Sequence, residues 1–170
     1  MKFITFISFC LVSLAVVSAK REIDIELAYK LLVQDMVKQG GRIYPKADDC
    51  ELNCPAGTFL TQKPNHQFLF NGCGSYNINI NFSILNMAEF NQCCNSHDIC
   101  YEVCSETKKS CDSSFDKCLT GYCNQWAIES NWNSLQKITC SSVVKLMVLA
   151  VDNLGCSAYR SSREYACFCS

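Results

Sequence analysis

The sequence predicts an all-α, disulfide-rich domain built on two antiparallel helices stapled side by side, with an irregular N-terminal extension and a short β element. Three observations carry that expectation. The cysteines become even in number behind a secretory leader, two helical stretches flank the polar segment 105–110, and those stretches carry matched cysteine spacings.

The leader comes first in the chain. Lys2 supplies a positive charge, Phe3 to Val17 is almost wholly apolar, and Val17-Ser18-Ala19 offers the small residues a signal peptidase cuts behind. A membrane anchor is the competing reading, but the apolar run is about fifteen residues where a spanning helix needs roughly 20. Residues 1–19 are therefore expected to be a signal peptide, the product to be secreted and extracellular, and the mature chain to begin at Lys20. Later in the chain, Val143 to Leu154 is the most apolar run, and Lys145 and Asp152 within it argue against a bilayer span. Losing Cys10 with the leader takes the 15 cysteines to 14, enough for seven bridges in an oxidising compartment. In the 170-residue chain, 15 Lys+Arg face 16 Asp+Glu for a formal charge of -1, so neither a nucleic-acid footprint nor a polybasic membrane patch shows in the balance.

Between Ile23 and Gln39, apolar Leu27, Ala28, Leu31, Leu32 and Met36 form a helical stripe that stops at Gly40-Gly41. Arg42 to Gln67 holds Pro45, Pro55 and Pro64 with Cys50 and Cys54, and reads as a bridged irregular segment. Residues 20–65 thus form an N-terminal helical and irregular extension to a main domain at 66–170. Asn71-Gly72-Cys73-Gly74-Ser75 is a glycine turn, followed by the strand-like alternation Ile78 to Phe82, and Asn81-Phe82-Ser83 is a glycosylation sequon. Asn86 to Cys104 is expected to be helical, with Asn86 as cap and Glu89 three residues on. Ser110 is the expected cap of a second helix through Phe115, Cys118, Leu119, Tyr122 and Trp126, and Ser141 or Ser142 of a third that ends at Gly155.

Of the two histidines, His66 lies in a turn-like context without a nearby acid or cysteine in sequence and reads as an ordinary loop residue. His97 sits in Cys93-Cys94-Asn95-Ser96-His97-Asp98-Ile99-Cys100-Tyr101. Such a cluster suits either metal ligation or disulfides, and the leader with its even cysteine count favours disulfides. Adjacent Cys93 and Cys94 point about 100° apart on a helix, so they reach different partners. In antiparallel helices, facing positions have a constant sum of residue numbers. Cys93 with Cys118 and Cys100 with Cys111 share one such sum, so both bridges fit one register. That register brings Asp112 within half a turn of His97, with Tyr101 near the same acid. A carboxylate so placed can orient a general-base histidine. Asp112 reads equally well as an acid in the first turn of a helix, and Tyr101 as a core aromatic. Asp98 points away from that partner and is free to meet a cation.

The segment Cys93-Cys94-x-x-His97-Asp98-x-Cys100-Tyr101 resembles the active-site helix of secreted phospholipase A2. Cys111-Asp112-Ser113-Ser114-Phe115-Asp116-Lys117-Cys118 resembles the family's second helix, and Asn71-Gly72-Cys73-Gly74-Ser75 its calcium loop. Leu154-Gly155-Cys156, Tyr159 and Ala166-Cys167-x-Cys169 are similar to the group XII branch. The resemblance implies a phospholipase A2-like fold, a Cys73–Cys94 bridge and Ca²⁺-dependent hydrolysis of the sn-2 ester of glycerophospholipids at a membrane or micelle surface. It implies His97 as base, Asp112 as its support and Tyr101 as a partner of Asp112. It further implies Gly74 as an amide donor to the oxyanion, with Asp98 and the carbonyls of Gly72, Gly74 and Tyr76 as Ca²⁺ ligands. Tyr76 stands where much of the family has a second glycine, which bears on calcium affinity and turnover. The rival reading is a non-catalytic lipid- or receptor-binding protein on the same scaffold.

Overall fold

The structure is a computed structural model that describes residues 30, 34, 38, 50–75, 78–79, 82 and 87–170. The expected leader, the Asn81 sequon, the Asn86 cap and Tyr76 lie outside the described residues. Of the helix expected at Ile23–Gln39, Lys30, Gln34 and Lys38 are described; they are helical and exposed, as the polar face of that stripe requires.

Among the elements described from end to end, strands β1 (Leu60–Gln62), β2 (Gly74–Ser75) and β3 (Ile78–Asn79) precede four helices, and β4 (Cys167–Cys169) follows them. The helices are α1 (Phe90–Glu102), α2 (Lys108–Glu129), α3 (Ser134–Leu154) and α4 (Cys156–Ala166). The fold is helical and disulfide-rich, as expected. β2 pairs antiparallel with β3, whereas β1 reaches across the chain to pair with β4, placing Leu60 opposite Cys169 and Gln62 opposite Cys167. That long-range pairing gives order to part of the segment expected to be irregular.

Several helix starts differ from expectation, and for α2 and α3 the cause is a capping side chain. α1 begins at Phe90, so Glu89 occupies the cap position rather than the third helical one. α2 begins at Lys108 because the Thr107 hydroxyl accepts the Ser110 N–H at 3.1 Å, taking the capping role assigned to Ser110. Asp112 is consequently past the first turn, which removes the helix-dipole explanation for an acid there. α3 starts at Ser134, ahead of Ser141 and Ser142, on a capping box in which Asn133 accepts from the Gln136 N–H and Gln136 accepts from the Asn133 N–H, each at 3.0 Å. At its far end the chain turns through Gly155 straight into α4, which no periodicity argument anticipated.

Seven disulfides join the described cysteines: Cys50–Cys156, Cys54–Cys169, Cys73–Cys94, Cys93–Cys118, Cys100–Cys111, Cys104–Cys167 and Cys123–Cys140. The shared register of α1 and α2 is borne out by Cys93–Cys118 and Cys100–Cys111, and the bridge implied by the resemblance is present. No cysteine in these bridges is free to ligate a metal, which overturns the metal-ligand reading of the cluster. The main core lies between α1, α2 and α3, where Phe82, Phe90, Phe115, Leu119, Val143 and Val144 are buried among the disulfides. Phe82 is thus a core residue. A second cluster, Cys50, Tyr101, Cys111, Cys156 and Tyr159, packs α4 against α1.

Among the described residues, α3 is the one helix long and apolar enough to cross a membrane, with a mean hydropathy of 1.4. It is tied to α2 through Cys123–Cys140 and buries Val143, Val144, Leu146 and Leu154.

Candidate active site

The crossing of α1 with α2 assembles the site. His97 projects from α1 toward α2, and its Nε2 lies 2.7 Å from Asp112 Oδ1. The Tyr101 hydroxyl, one turn further along α1, donates to the same oxygen at 2.7 Å. Both contacts follow from the stapled register, so the spacing argument for Asp112 and Tyr101 is realised in the geometry. His97 is 8% exposed, and its ring is tilted against Tyr101 and Phe115 with centroids 4.2 and 4.6 Å away.

The remaining oxygen, Asp112 Oδ2, accepts from Lys108 Nζ at 2.5 Å. Lys108 is 1% exposed, and it also donates to the backbone carbonyls of Val151 and Asp152 at 2.8 and 3.4 Å. This residue escaped the sequence reading. Its only signal was the i,i+4 spacing to Asp112, and a lysine preceding its acid on a helix is the less favourable order. Burial alone would push the Asp112 carboxyl up, but hydrogen bonds from His97, Lys108 and Tyr101 outweigh it and hold the group below the usual carboxylate value. The same burial, together with the adjoining Asp112 charge, drives the Tyr101 phenol far up, so it stays protonated and can only donate to the carboxylate.

His97, Asp98, Gly72 and Gly74 line one cavity of about 680 Å³, a size suited to a small ligand. Phe115, Met147, Ala150, Val151 and Leu154 make its apolar wall, while Leu69 and Phe70 stand at its edge with 55% and 59% of their surface exposed. These two exposed residues were not singled out from sequence, because they show no periodicity. Asp98 faces the loop instead of Asp112, as expected, and its Oδ2 accepts the Asn71 N–H at 3.1 Å. Burial pushes its carboxyl up, partly offset by that hydrogen bond and by His97.

His66 corrects the sequence reading. Its Nε2 lies 2.7 Å from Glu102 Oε2, with both side chains nearly buried, and the same oxygen accepts the Leu69 N–H at 3.1 Å. Glu102 is 36 residues from His66, so no local spacing could reveal the pair. Asp98 and Glu102, one turn apart on α1, therefore hold the entry to the glycine loop by alternate amides.

Gly155, between α3 and α4, has no room for a side chain: a Cβ there would lie 2.8 Å from the Tyr101 hydroxyl and 2.4 Å from the Val151 carbonyl oxygen. Gly155→Ala is expected to cost about 1–3 kcal/mol through overpacking, read as a lower denaturant midpoint with an unchanged slope. A midpoint equal to wild type would mean that the α3–α4 junction relaxes freely.

A stapled helix pair carrying a buried His–Asp couple at the wall of an apolar cavity places the molecule among disulfide-rich helical proteins. The family model described as Group XII secretory phospholipase A2 precursor matches residues 37–170, and the chain belongs to that family. It is 32% identical over 128 residues to Group XIIA secretory phospholipase A2 of Mus musculus and to that of Homo sapiens. It is 29% identical over 125 residues to Group XIIB secretory phospholipase A2-like protein of Mus musculus. Each alignment covers 71% of this chain and 62–64% of the relative, so the match spans under two thirds of those proteins. No solved structure matches the chain.

Proposed function

We propose that the protein is a secreted, Ca²⁺-dependent phospholipase A2 that hydrolyses the sn-2 acyl ester of glycerophospholipids at a membrane or micelle surface. The observation that carries this reading is the His97–Asp112 contact of 2.7 Å at the wall of an apolar cavity that Asp98 and the glycine loop also line. With Nε2 held by Asp112, Nδ1 is the nitrogen left to take the proton of an attacking water, and the neighbouring carboxylate stabilises the imidazolium that results. Tyr101 keeps Asp112 in place, and the Gly74 amide is the donor assigned to the developing oxyanion. No seryl or cysteinyl nucleophile is needed.

The donor set suits a hard cation that takes oxygen ligands. Asp98 is a half-buried carboxylate lining the same cavity as Gly72 and Gly74, and among the described residues Asn95 Oδ1, close to Gly72, is a buried oxygen without a hydrogen-bond partner. Asp98, Gly72 and Gly74 would hold Ca²⁺; Tyr76, the fourth ligand assigned, lies outside the described residues. When bound, Ca²⁺ supplies electrophilic assistance to the ester carbonyl. Leu69 and Phe70 at the cavity edge suit contact with a lipid surface. The secretory names of the relatives support export.

Fatty-acid release from mixed phospholipid vesicles, measured with Ca²⁺ and with a chelator, tests the reading. Ca²⁺-stimulated release of fatty acid and lysophospholipid is expected. Vesicle or receptor binding without ester cleavage would move the protein to the non-catalytic alternative.

A further inference from the structure

Resting on that reading, we infer that Lys108 is a positioning residue of the catalytic couple, fixing Asp112 against His97 and tying it to the wall of the substrate cavity. The carboxylate is used on both sides. Asp112 Oδ1 takes His97 and Tyr101, and among the described residues Oδ2 takes Lys108 alone. A carboxylate held at one oxygen can still tilt about that contact, because its other oxygen is unanchored. One bound through both cannot do so without losing hydrogen bonds in a buried site, where each lost bond is costly.

A buried ion pair is by itself a poor sign of a device for stability. Replacing a buried ion pair with apolar side chains of similar volume is often neutral or stabilising, so the pair is weak as a fold device. Its geometry points to the site instead. All three ammonium donors are directed inward, one to Asp112 and two to the carbonyls of Val151 and Asp152 at the end of α3. Val151 itself lines the cavity. Lys108 therefore sets the distance between the apolar wall that would hold an acyl chain and the carboxylate that orients the base.

The test uses the full secreted protein as Lys108→Met, Asp112→Asn and the double variant. Lys108→Met keeps the length of the stem and removes the charge. It should lower kcat by about 10- to 100-fold, the usual loss when a partner that orients a functional ligand is removed, with little change in KM or calorimetric Ca²⁺ affinity. The double variant should turn over no more slowly than Asp112→Asn alone, because Lys108 acts through Asp112. Wild-type kcat in Lys108→Met, or losses that multiply in the double variant, would overturn the assignment. If Lys108→Met does not fold, the double variant carries the comparison, since it removes the buried charge together with its partner. A readout independent of hydrolysis separates this inference from the proposed activity. Nitrogen NMR of ¹⁵N-histidine-labelled protein should show neutral His97 as a single Nε2–H tautomer in wild type and as a tautomer mixture in Lys108→Met. An unchanged tautomer would reject the role of Lys108 even if the wild type cleaves no ester.

Discussion

His97→Gln is expected to lower turnover by about 10²–10⁴-fold, the usual worth of general-base assistance, while the fold and Ca²⁺ binding persist. No second histidine lines the cavity. The other histidine, His66, is held by Glu102 beside Phe68 and Tyr165, with ring centroids 5.2 Å from each. The fold should survive because glutamine can still offer an N–H toward Asp112, and α1 stays fixed to α2 through Cys93–Cys118 and Cys100–Cys111. The informative measurement is vesicle hydrolysis set beside a Ca²⁺ titration and a thermal melt. Retained turnover in a folded, Ca²⁺-binding variant would remove His97 from the mechanism. Lost turnover with lost Ca²⁺ binding would show instead that His97 supports the neighbouring loop.

What the sequence made legible was whatever recurs at helical spacing. The bridges of Cys93 and Cys100 fix a register, and that register delivers Asp112 and Tyr101 to His97 by arithmetic. Contacts between distant segments were not legible in that way. The Cys50–Cys156 and Cys54–Cys169 bridges span 106 and 115 residues, and β1 finds β4 over a similar stretch, so no local pattern announces either. Helix starts failed for a different reason. Several polar residues compete near each end, and Thr107 and Asn133 won because their side chains face the orphan N–H groups of Ser110 and Gln136. Lys108 was hidden because a lysine near a helix end usually lies in solvent, and only the arrival of the α3 C-terminus buries it.

Asp98→Asn and Asp112→Asn should fail in different ways, although both acids lie close to the same histidine. Asp98 is the one carboxylate assigned to the cation, supported by neutral carbonyls, so wild-type affinity should fall in the weak ~10⁻⁴–10⁻³ M range of extracellular sites. Its replacement by asparagine removes the charged ligand and keeps an oxygen. Calcium affinity and hydrolysis should therefore fall together and recover in part at high Ca²⁺. Asp112→Asn leaves those ligands untouched and removes the charge that favours the imidazolium, so turnover should drop by about 10²–10⁴-fold at unchanged calcium affinity. It also leaves the Lys108 ammonium buried without its anion. Breaking a buried pair from one side typically costs about 3–5 kcal/mol, so a lower melting temperature should accompany the loss. Asp98, with its carboxylate only partly buried, should show no comparable drop. Calorimetric Ca²⁺ titration, melting and vesicle hydrolysis on both variants separate the two roles. Equal loss of calcium affinity in both would mean that Asp112 shapes the cation site through α1, and the division of labour between the acids would have to be redrawn.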